Sequence, residues 1–535
     1  MIARTESGDV LSPCIAAVPQ VDPVNLVPWQ GRLLPETQRV LVKVDLDMAK
    51  AVVTSARHLH GGRNPADQFA AEVLVRRGLY KYAGEVLPHP PASTAPLARR
   101  TRWAVTAAAI QYWGAGDAEA AHRVLGDVGS PVAEAHRAGL LLLEGRTRAA
   151  LTAGEKVLRD RQLPDEAIKP AVTTVVVAAG LAGRFDRALA AVGRPGPGRP
   201  WFAEIGYAHC FALLMAGRVR HARRIAQDGY QDAVTAGNIE VAAGWLALRG
   251  QVAKARGDLI TAITDLETAS RLFDGGNSCF MLAPCLAELA AARAMSGDQA
   301  GAEQTRRLVT DRAPESRLFA PWLTLSQAWT TAAGGDTALA ARQARSAAEL
   351  AMALGQYAVE ATARYDVARL GNPNTVRHRL AALAAVVQGP VVPAMAGAAD
   401  ALARSDPGAL DVATAKFTEL GMDLLAAETA TAAAAVRHTA TPPGGMACPD
   451  ATTPLLRLTA PLIELTRRER DVALLAAGGF TSPAIGHRLG LSARTVDNYL
   501  SRAYQKLGVT SRRDLAPLVT GDRPQPPIHG EREHR

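Results

Sequence analysis

The residues with the clearest chemical use run from Ser492 to Asn498, at the cap and first turn of a predicted helix. A helix N-terminus carries partial positive charge and free backbone N–H groups, which suit a phosphate. A short predicted helix and the tight turn Gly490-Leu491 come directly before it. A short helix, a tight turn and a longer polar helix make a helix-turn-helix, whose second helix enters the major groove. The sequence therefore predicts contact with double-stranded DNA.

Four short helices are predicted between Glu464 and Thr520. Thr466 and Glu469 form a Thr-x-x-Glu capping box at the start of the first helix. Serine, which is a good N-cap residue, marks the start of the other three. Those starts are Ser482-Pro483, Ser492 and Ser511, and the second and third helices are expected to end near Leu489 and Lys506.

Positive charge is concentrated in the same segment. Nine basic and four acidic residues give +5 over the 56 residues from Leu465 to Thr520, whereas the whole chain carries +9. A basic block is typical of a nucleic-acid-binding module, although a solvated basic surface would give the same count.

The pattern from Leu465 to Val509 resembles the LuxR-type helix-turn-helix. The resemblance implies a four-helix DNA-binding domain that forms a homodimer on DNA, with two recognition helices about one helical turn of DNA apart. It rests on Leu465-Thr466-Arg467-Arg468-Glu469-Arg470-Asp471-Val472, Gly479, Ile485, Leu489, Ser492, Thr495-Val496, Leu500 and Lys506-Leu507-Gly508-Val509.

The resemblance also implies roles along the third helix. Asn498 can bond an adenine edge, Asp497 can accept from a cytosine amino group, and Ser501 lies on the same base-reading face. Val496 is expected to anchor the helix in the core, and Thr495 to lie near a phosphate. Phosphate contacts position a protein without specifying sequence. The cap Ser492 and the side chains expected at phosphates complete the predicted site: Arg494, Arg502 and Lys506.

Three positions depart from the family pattern. Pro483-Ala484 stands where Lys-Glu is common, which removes a potential phosphate contact but is tolerated in a first turn. Asp497 stands where many members have lysine, so base preference should shift and non-specific attraction should weaken. Tyr499 replaces a common histidine. A degenerate domain that no longer binds DNA is the alternative reading.

The middle of the chain repeats. Seven Gly-Asp or Gly-Arg turns, each between an apolar and an alanine-rich stretch, follow one another at steps of 29, 38, 34, 40, 40 and 38 residues. Such a period predicts stacked helix pairs, similar to tetratricopeptide repeats. Aromatics at only 5% favour helix over sheet. The turns are Gly116-Asp117, Gly145-Arg146, Gly183-Arg184, Gly217-Arg218, Gly257-Asp258, Gly297-Asp298 and Gly335-Asp336.

The expected fold is all-α, a tetratricopeptide-like solenoid followed by the four-helix domain. The stretch Ala409–Glu428 resembles the last repeat of large LuxR regulators. Those proteins usually open with an ATPase, and no Gly-x-x-x-x-Gly-Lys-Ser/Thr loop occurs here, so a version without the ATPase is expected. The predicted divisions are a poorly defined, mostly helical segment 1–97 with a short strand at Arg39–Asp47, repeats 98–437, a flexible linker 438–457, the DNA-binding domain 458–523 and a disordered tail 524–535.

The sequence offers little support for enzymatic, metal-binding or membrane functions. There is no HExxH, GxSxG or phosphate-loop motif, so an enzyme is not expected. The five cysteines form no CxxC pair, which argues against a metal site and fits a reducing cytoplasm. Neither a signal peptide nor a run of about 18 apolar residues is present, so no membrane association is expected. No cofactor is predicted.

The role of the repeats stays open between two readings. They are either a scaffold or a concave surface that binds a protein or small-molecule effector. The expected partners are double-stranded DNA, RNA polymerase, such an effector and a second copy of the chain. A helical-repeat adaptor with a vestigial helix-turn-helix is the competing hypothesis, and it would keep its protein partners after deletion of residues 458–535.

Overall fold

The structure is a computed structural model. It describes residues 65–76, 78–160, 162–193, 203–274, 279–312, 316–437, 448–458 and 465–507, together with Val509, Ser511, Arg512 and Leu515. The predicted strand at Arg39–Asp47, the tail 524–535 and most of the predicted fourth helix lie outside these residues. No described helix is long and apolar enough to cross a membrane.

All regular elements in the described ranges are helices, so the all-α prediction is confirmed. The first fourteen are α1 Pro65–Arg76, α2 Tyr80–Val86, α3 Leu97–Ala109, α4 Ala118–Gly126, α5 Pro131–Leu143, α6 Thr147–Leu158, α7 Asp165–Leu181, α8 Phe185–Val192, α9 Ala203–Met215, α10 Val219–Thr235, α11 Ile239–Ala255, α12 Leu259–Asp274, α13 Cys279–Ser296 and α14 Gln299–Arg312. The remaining ten are α15 Ala320–Ala333, α16 Thr337–Ala353, α17 Tyr357–Arg369, α18 Arg377–Ala384, α19 Val391–Arg404, α20 Pro407–Leu420, α21 Asp423–Val436, α22 Arg467–Ala477, α23 Ser482–Leu489 and α24 Ala493–Leu507.

The seven predicted turns are all present and join antiparallel helices. Each turn glycine has a left-handed backbone, with φ between 69° and 91°, a conformation that costs a glycine little. Where aspartate follows the glycine, its carboxylate accepts a backbone N–H of the next helix. These caps are Asp117, Asp258, Asp298 and Asp336. Where arginine follows, the next helix has no side-chain cap.

The repeat from α11 to α12 shows how the sequence builds each unit. Trp245, Leu246 and Leu248 are buried on α11. Ala262 and Ala269 of α12 are fully buried, and such small side chains let helices approach closely. A single pair leaves an apolar face uncovered, so neighbouring pairs must stack on it.

The second half of the array lies against the turns of the first half, which the sequence did not predict. The turns at Gly145, Gly183, Gly217, Gly257 and Gly297 contact residues from Arg317 to Thr452, in the same order along the chain. The Gly183 carbonyl, for example, accepts the backbone N–H of Gln388 at 2.9 Å. One hydrophobic cluster accordingly joins Phe185 to Met395 and Cys448. The second half of the repeats therefore forms a layer on the turns of the first half.

Residues 448–458, here called the strap, lie against the repeats. The Thr452 backbone N–H donates to the Met295 carbonyl at 2.7 Å, and Cys448, Thr453 and Leu455 are buried. The sequence predicted a flexible linker over 438–457. Residues 448–457 instead pack on the helices, with Cys448 against the turn at Gly257, Thr452 against the turn at Gly297, and Ala451 and Leu456 against the hydrophobic cluster. Residues 438–447 lie outside the described part of the chain.

Candidate nucleic-acid interface

The C-terminal domain begins with the predicted capping box. The Glu469 backbone N–H donates to Thr466 Oγ1 at 3.4 Å, and the Thr466 backbone N–H donates to Glu469 Oε2 at 2.7 Å. Two free donors at the start of α22 are thereby satisfied. Val472, Ala473 and Ala476 of this helix enter the domain core, so α22 forms the support on which the other two helices rest.

The helix pair α23 and α24 has the geometry expected of a helix-turn-helix. Thr481, one residue before the predicted start, caps α23 through the Ala484 backbone N–H. Gly490 ends α23 with φ 66°, and Ser492 caps α24 by accepting the Thr495 backbone N–H at 3.1 Å. The tight turn thus fixes the direction in which α24 leaves α23.

Gly486 is a site residue that the sequence analysis missed. It is buried on α23, and its carbonyl accepts the Leu491 backbone N–H at 2.8 Å. A Cβ at this position would lie 2.5 Å from the Leu491 carbonyl oxygen. Only glycine allows the turn to approach α23 this closely. The available signal was a glycine inside a short predicted helix, four residues before the turn glycine.

Helix α24 has one buried and one exposed side. Val496 and Ala503 are fully buried and Leu500 is 3% exposed, and all three lie in the domain core. The predicted base readers Asp497, Asn498 and Ser501 are exposed, with Arg494, Arg502 and Lys506 also exposed along the helix. Thr495 is half-buried, and its hydroxyl is 2.7 Å from the Ser492 hydroxyl. The helix therefore presents a polar surface with basic residues along its length.

One of the predicted readers also holds the helix pair together. The Ser482 hydroxyl donates to Asp497 Oδ1 at 2.5 Å, and the Arg512 guanidinium donates to the Ser482 hydroxyl and, at 2.9 Å, to the Phe480 carbonyl. Arg512 is one of the nine basic residues between Leu465 and Thr520, and no local pattern predicts this contact because its partners are about 30 residues away. Asp497 therefore has a structural contact that competes with any contact to a base.

Lys506, predicted to contact a phosphate, forms an ion pair inside the domain. Its Nζ lies 2.7 Å from Oε2 of Glu469, which is 3% exposed. Burial by itself would raise the pKa of the Glu469 carboxyl. Hydrogen bonds from Lys506 and Thr466 more than offset that effect, so the pKa lies below its ordinary value of 4.5. The pair links the end of α24 to the start of α22.

Replacing Lys506 with methionine should lower the stability of the C-terminal domain by about 1 kcal/mol at pH 7, because a buried carboxylate loses a charged donor. The lysine is 38% exposed, and solvent screening limits the effect. Since the pKa of Glu469 is lowered in the folded state, the stabilisation by this ion pair is present above pH 4.5 and is lost as the pH falls through the lowered pKa. Hydrogen exchange of the α22 amides at several pH values measures it.

The matched control is Arg502→Met, which removes an exposed positive charge from the same helix. We expect this variant to leave the exchange rates of α22 nearly unchanged. An equal loss of protection in both variants would contradict the ion pair with Glu469 as the cause.

Comparison with known proteins agrees with this geometry. Residues 464–519 match the family described as bacterial regulatory proteins, luxR family. Over 52 residues the chain is 44% identical to the probable transcriptional regulatory protein SgaR of Hyphomicrobium methylovorum, a match that covers 10% of this chain and 25% of that protein. The chain thus spans a quarter of the length of this relative.

Among solved structures, the crystal structure of a Rap protein complexed with competence and sporulation factor aligns with a TM-score of 0.38 at 11% identity. The alignment covers 59% of this chain and 98% of that chain.

The C-terminal domain is a LuxR-type helix-turn-helix, as the residues from Leu465 to Val509 predicted.

Proposed function

We propose that the chain is a sequence-specific DNA-binding transcriptional regulator, rather than an enzyme, whose helix α24 enters the major groove. The observation that carries the proposal is the exposed polar surface of α24, set on a buried apolar side within a LuxR-type domain. Asn498 and Ser501 read bases, and Asp497 reads a base where its contact with Ser482 allows. Ser492, Arg494, Thr495 and Arg502 contact phosphates, and Lys506 does so in competition with Glu469.

The rest of the proposal concerns the partners. Two copies bind DNA together, so that two α24 helices occupy successive turns of the major groove. The repeats receive a protein or small-molecule signal and control the DNA-binding domain, which in turn acts on RNA polymerase. The strap supports this arrangement, because it is packed on the repeats and lies directly before the DNA-binding domain in the chain.

The Asn498→Ala variant tests the reading helix. Because a well-placed amide contact discriminates between bases by about 1–3 kcal/mol, we expect about 5- to 150-fold weaker binding to a selected site. Binding to scrambled DNA should change little, since non-specific binding depends on phosphate contacts. The sites come from genomic fragments retained by the full chain, and affinity is measured by mobility shift at two salt concentrations.

Gln505→Ala is the control, since Gln505 is an exposed amide farther along α24. It should bind both DNAs like the parent. If the full chain retains no genomic fragments, the proposed function is wrong and the adaptor hypothesis is favoured. If Asn498→Ala binds as well as the parent, α24 does not read bases through this residue.

A further inference from the structure

A cavity of about 180 Å³ lies inside the repeat array, between its two layers. Its walls come from α9, α11, α13, α15, α17, α19 and α21, so the first half of the repeats supplies one side and the second half the other. Every second helix of this part of the array contributes to the wall, and the cavity is partly open to solvent.

Apolar atoms form most of its surface. Four methionines line it, together with two tryptophans: Met215, Met295, Met395, Met422, Trp322 and Trp329. Methionine adapts its shape and polarizes easily, and aromatic rings offer flat apolar faces. Such a wall suits a ligand with rings and few polar groups.

The charged groups of the wall are already paired. The Arg369 guanidinium donates to Asp366 at 2.7 Å and to both carboxylate oxygens of Glu428 at 2.7 and 2.8 Å. Lys254 pairs with Glu288. A charged ligand would have to displace one of these pairs or stay uncompensated in an apolar space, and either outcome is costly. The wall therefore favours an uncharged ligand, to which Gln251 offers an amide.

We propose that this cavity binds a small uncharged molecule of one or two rings. The volume is on the scale of an apolar cavity of about 150 Å³ that accepts benzene. The cavity is partly open to solvent, so a ligand can enter it, and burial of the ligand's apolar surface against the wall favours binding. A ligand that binds only the folded chain also stabilises it. The cavity is thus the sensing site of the proposed regulator.

The strap connects this cavity to the DNA-binding domain. Met295 lines the cavity, and its carbonyl accepts the Thr452 backbone N–H. Leu424 also lines it, near the turn at Gly257 against which Cys448 packs. A ligand that moves these walls shifts the residues on which the strap packs. This coupling rests on the proposed function, whereas binding itself does not.

Titration of the full chain with indole, followed by calorimetry, tests the binding without DNA. We expect saturable binding of indole and at least tenfold weaker binding of indole-3-carboxylate, which adds a charge to the same rings. Benzene serves as a second, smaller neutral probe. Absence of saturable binding by both neutral probes, or equal affinity for the carboxylate, overturns the proposal.

Two matched variants locate the site. Ala255 and Ala333 are the last residues of α11 and α15, both are partly buried, and only Ala255 lines the cavity. Ala255→Phe should abolish indole binding, and Ala333→Phe should leave it unchanged. If circular dichroism shows that Ala255→Phe has lost helix, Thr362→Leu fills the cavity from α17 instead. Indole binding that survives in the folded cavity-filling variant overturns the assignment.

Comparing DNA affinity with and without indole distinguishes the two proposals. Saturable binding of indole by a chain that retains no DNA contradicts the proposed function and leaves the cavity site intact. DNA binding by a chain that binds neither neutral probe contradicts the cavity site and leaves the proposed function intact.

Discussion

Replacing Arg369 with methionine lowers the free energy of unfolding of the repeat array by about 3–5 kcal/mol, the usual cost of removing one partner from a buried ion pair. Arg369 is 5% exposed and Glu428 is fully buried. Methionine keeps much of the side-chain volume but leaves two carboxylates without their cation. The midpoint of urea unfolding, followed by circular dichroism, measures the loss.

The environment of Arg369 explains the size of this effect. Its guanidinium stacks on the Trp329 ring at 4.4 Å, and the Trp329 Nε1–H donates to Asp366 at 2.9 Å. Burial alone would lower the pKa of Arg369, but the charges of Glu428 and Asp366 outweigh it and raise that pKa above its ordinary value. The cluster joins α15, α17 and α21, so its disruption loosens three helices together.

Two variants test the cause. Arg404→Met removes an exposed partner of Asp400 and should cost no more than about 0.5 kcal/mol. The double variant Arg369→Met/Glu428→Gln should be more stable than Arg369→Met, because one unpaired charge is gone. A loss below about 1 kcal/mol in Arg369→Met would show that the cluster does not hold these three helices together.

Gly257→Ala should release the strap from the repeats and lower the free energy of unfolding by about 3 kcal/mol in total. The backbone at Gly257 has φ 77°, and a left-handed conformation costs a residue with a Cβ about 1–2 kcal/mol. The added Cβ would also overlap Cys448 Sγ and lie 3.2 Å from Leu424 Cβ. Because Cys448 belongs to the strap, the clash is relieved most easily when the strap leaves the repeats.

The Cys448 thiol reports this release. Burial, together with nearby carboxylates, raises its pKa to about 11, so at pH 8 the docked thiol is protonated and reacts slowly. A released strap exposes the thiol and lets its pKa fall toward the ordinary value. We expect Gly257→Ala to label at Cys448 at least tenfold faster with a maleimide, as quantified by peptide mass spectrometry.

Gly355→Ala separates backbone strain from the clash. Gly355 has φ 71° and no neighbouring atom within 4 Å of an added Cβ, so only the conformational cost of about 1–2 kcal/mol remains. Labelling of Cys448 should stay at the parental rate in this variant. Equal labelling rates in Gly257→Ala and the parent would mean that the strap tolerates the extra methyl group without leaving.

The local structure could be predicted from the sequence, because its signals act over a few residues. A glycine followed by aspartate ends one helix and caps the next, as at Gly257-Asp258 and Gly335-Asp336. Thr466 and Glu469 start α22 by bonding each other's backbone. The alternation of buried and exposed residues along α24 follows from helical spacing alone. The repeats and the helix-turn-helix were therefore predictable.

How these elements pack against one another could not be predicted, because it depends on contacts between distant residues. The contact of Gly183 with Gln388, the ion pair of Arg369 with Glu428 and the packing of Cys448 on Gly257 join residues 59 to 205 positions apart. Such pairs leave no local pattern, since each partner's surroundings are set by the path of the whole chain. The packing of the second half of the array on the first, the cavity and the docked strap all depend on such contacts.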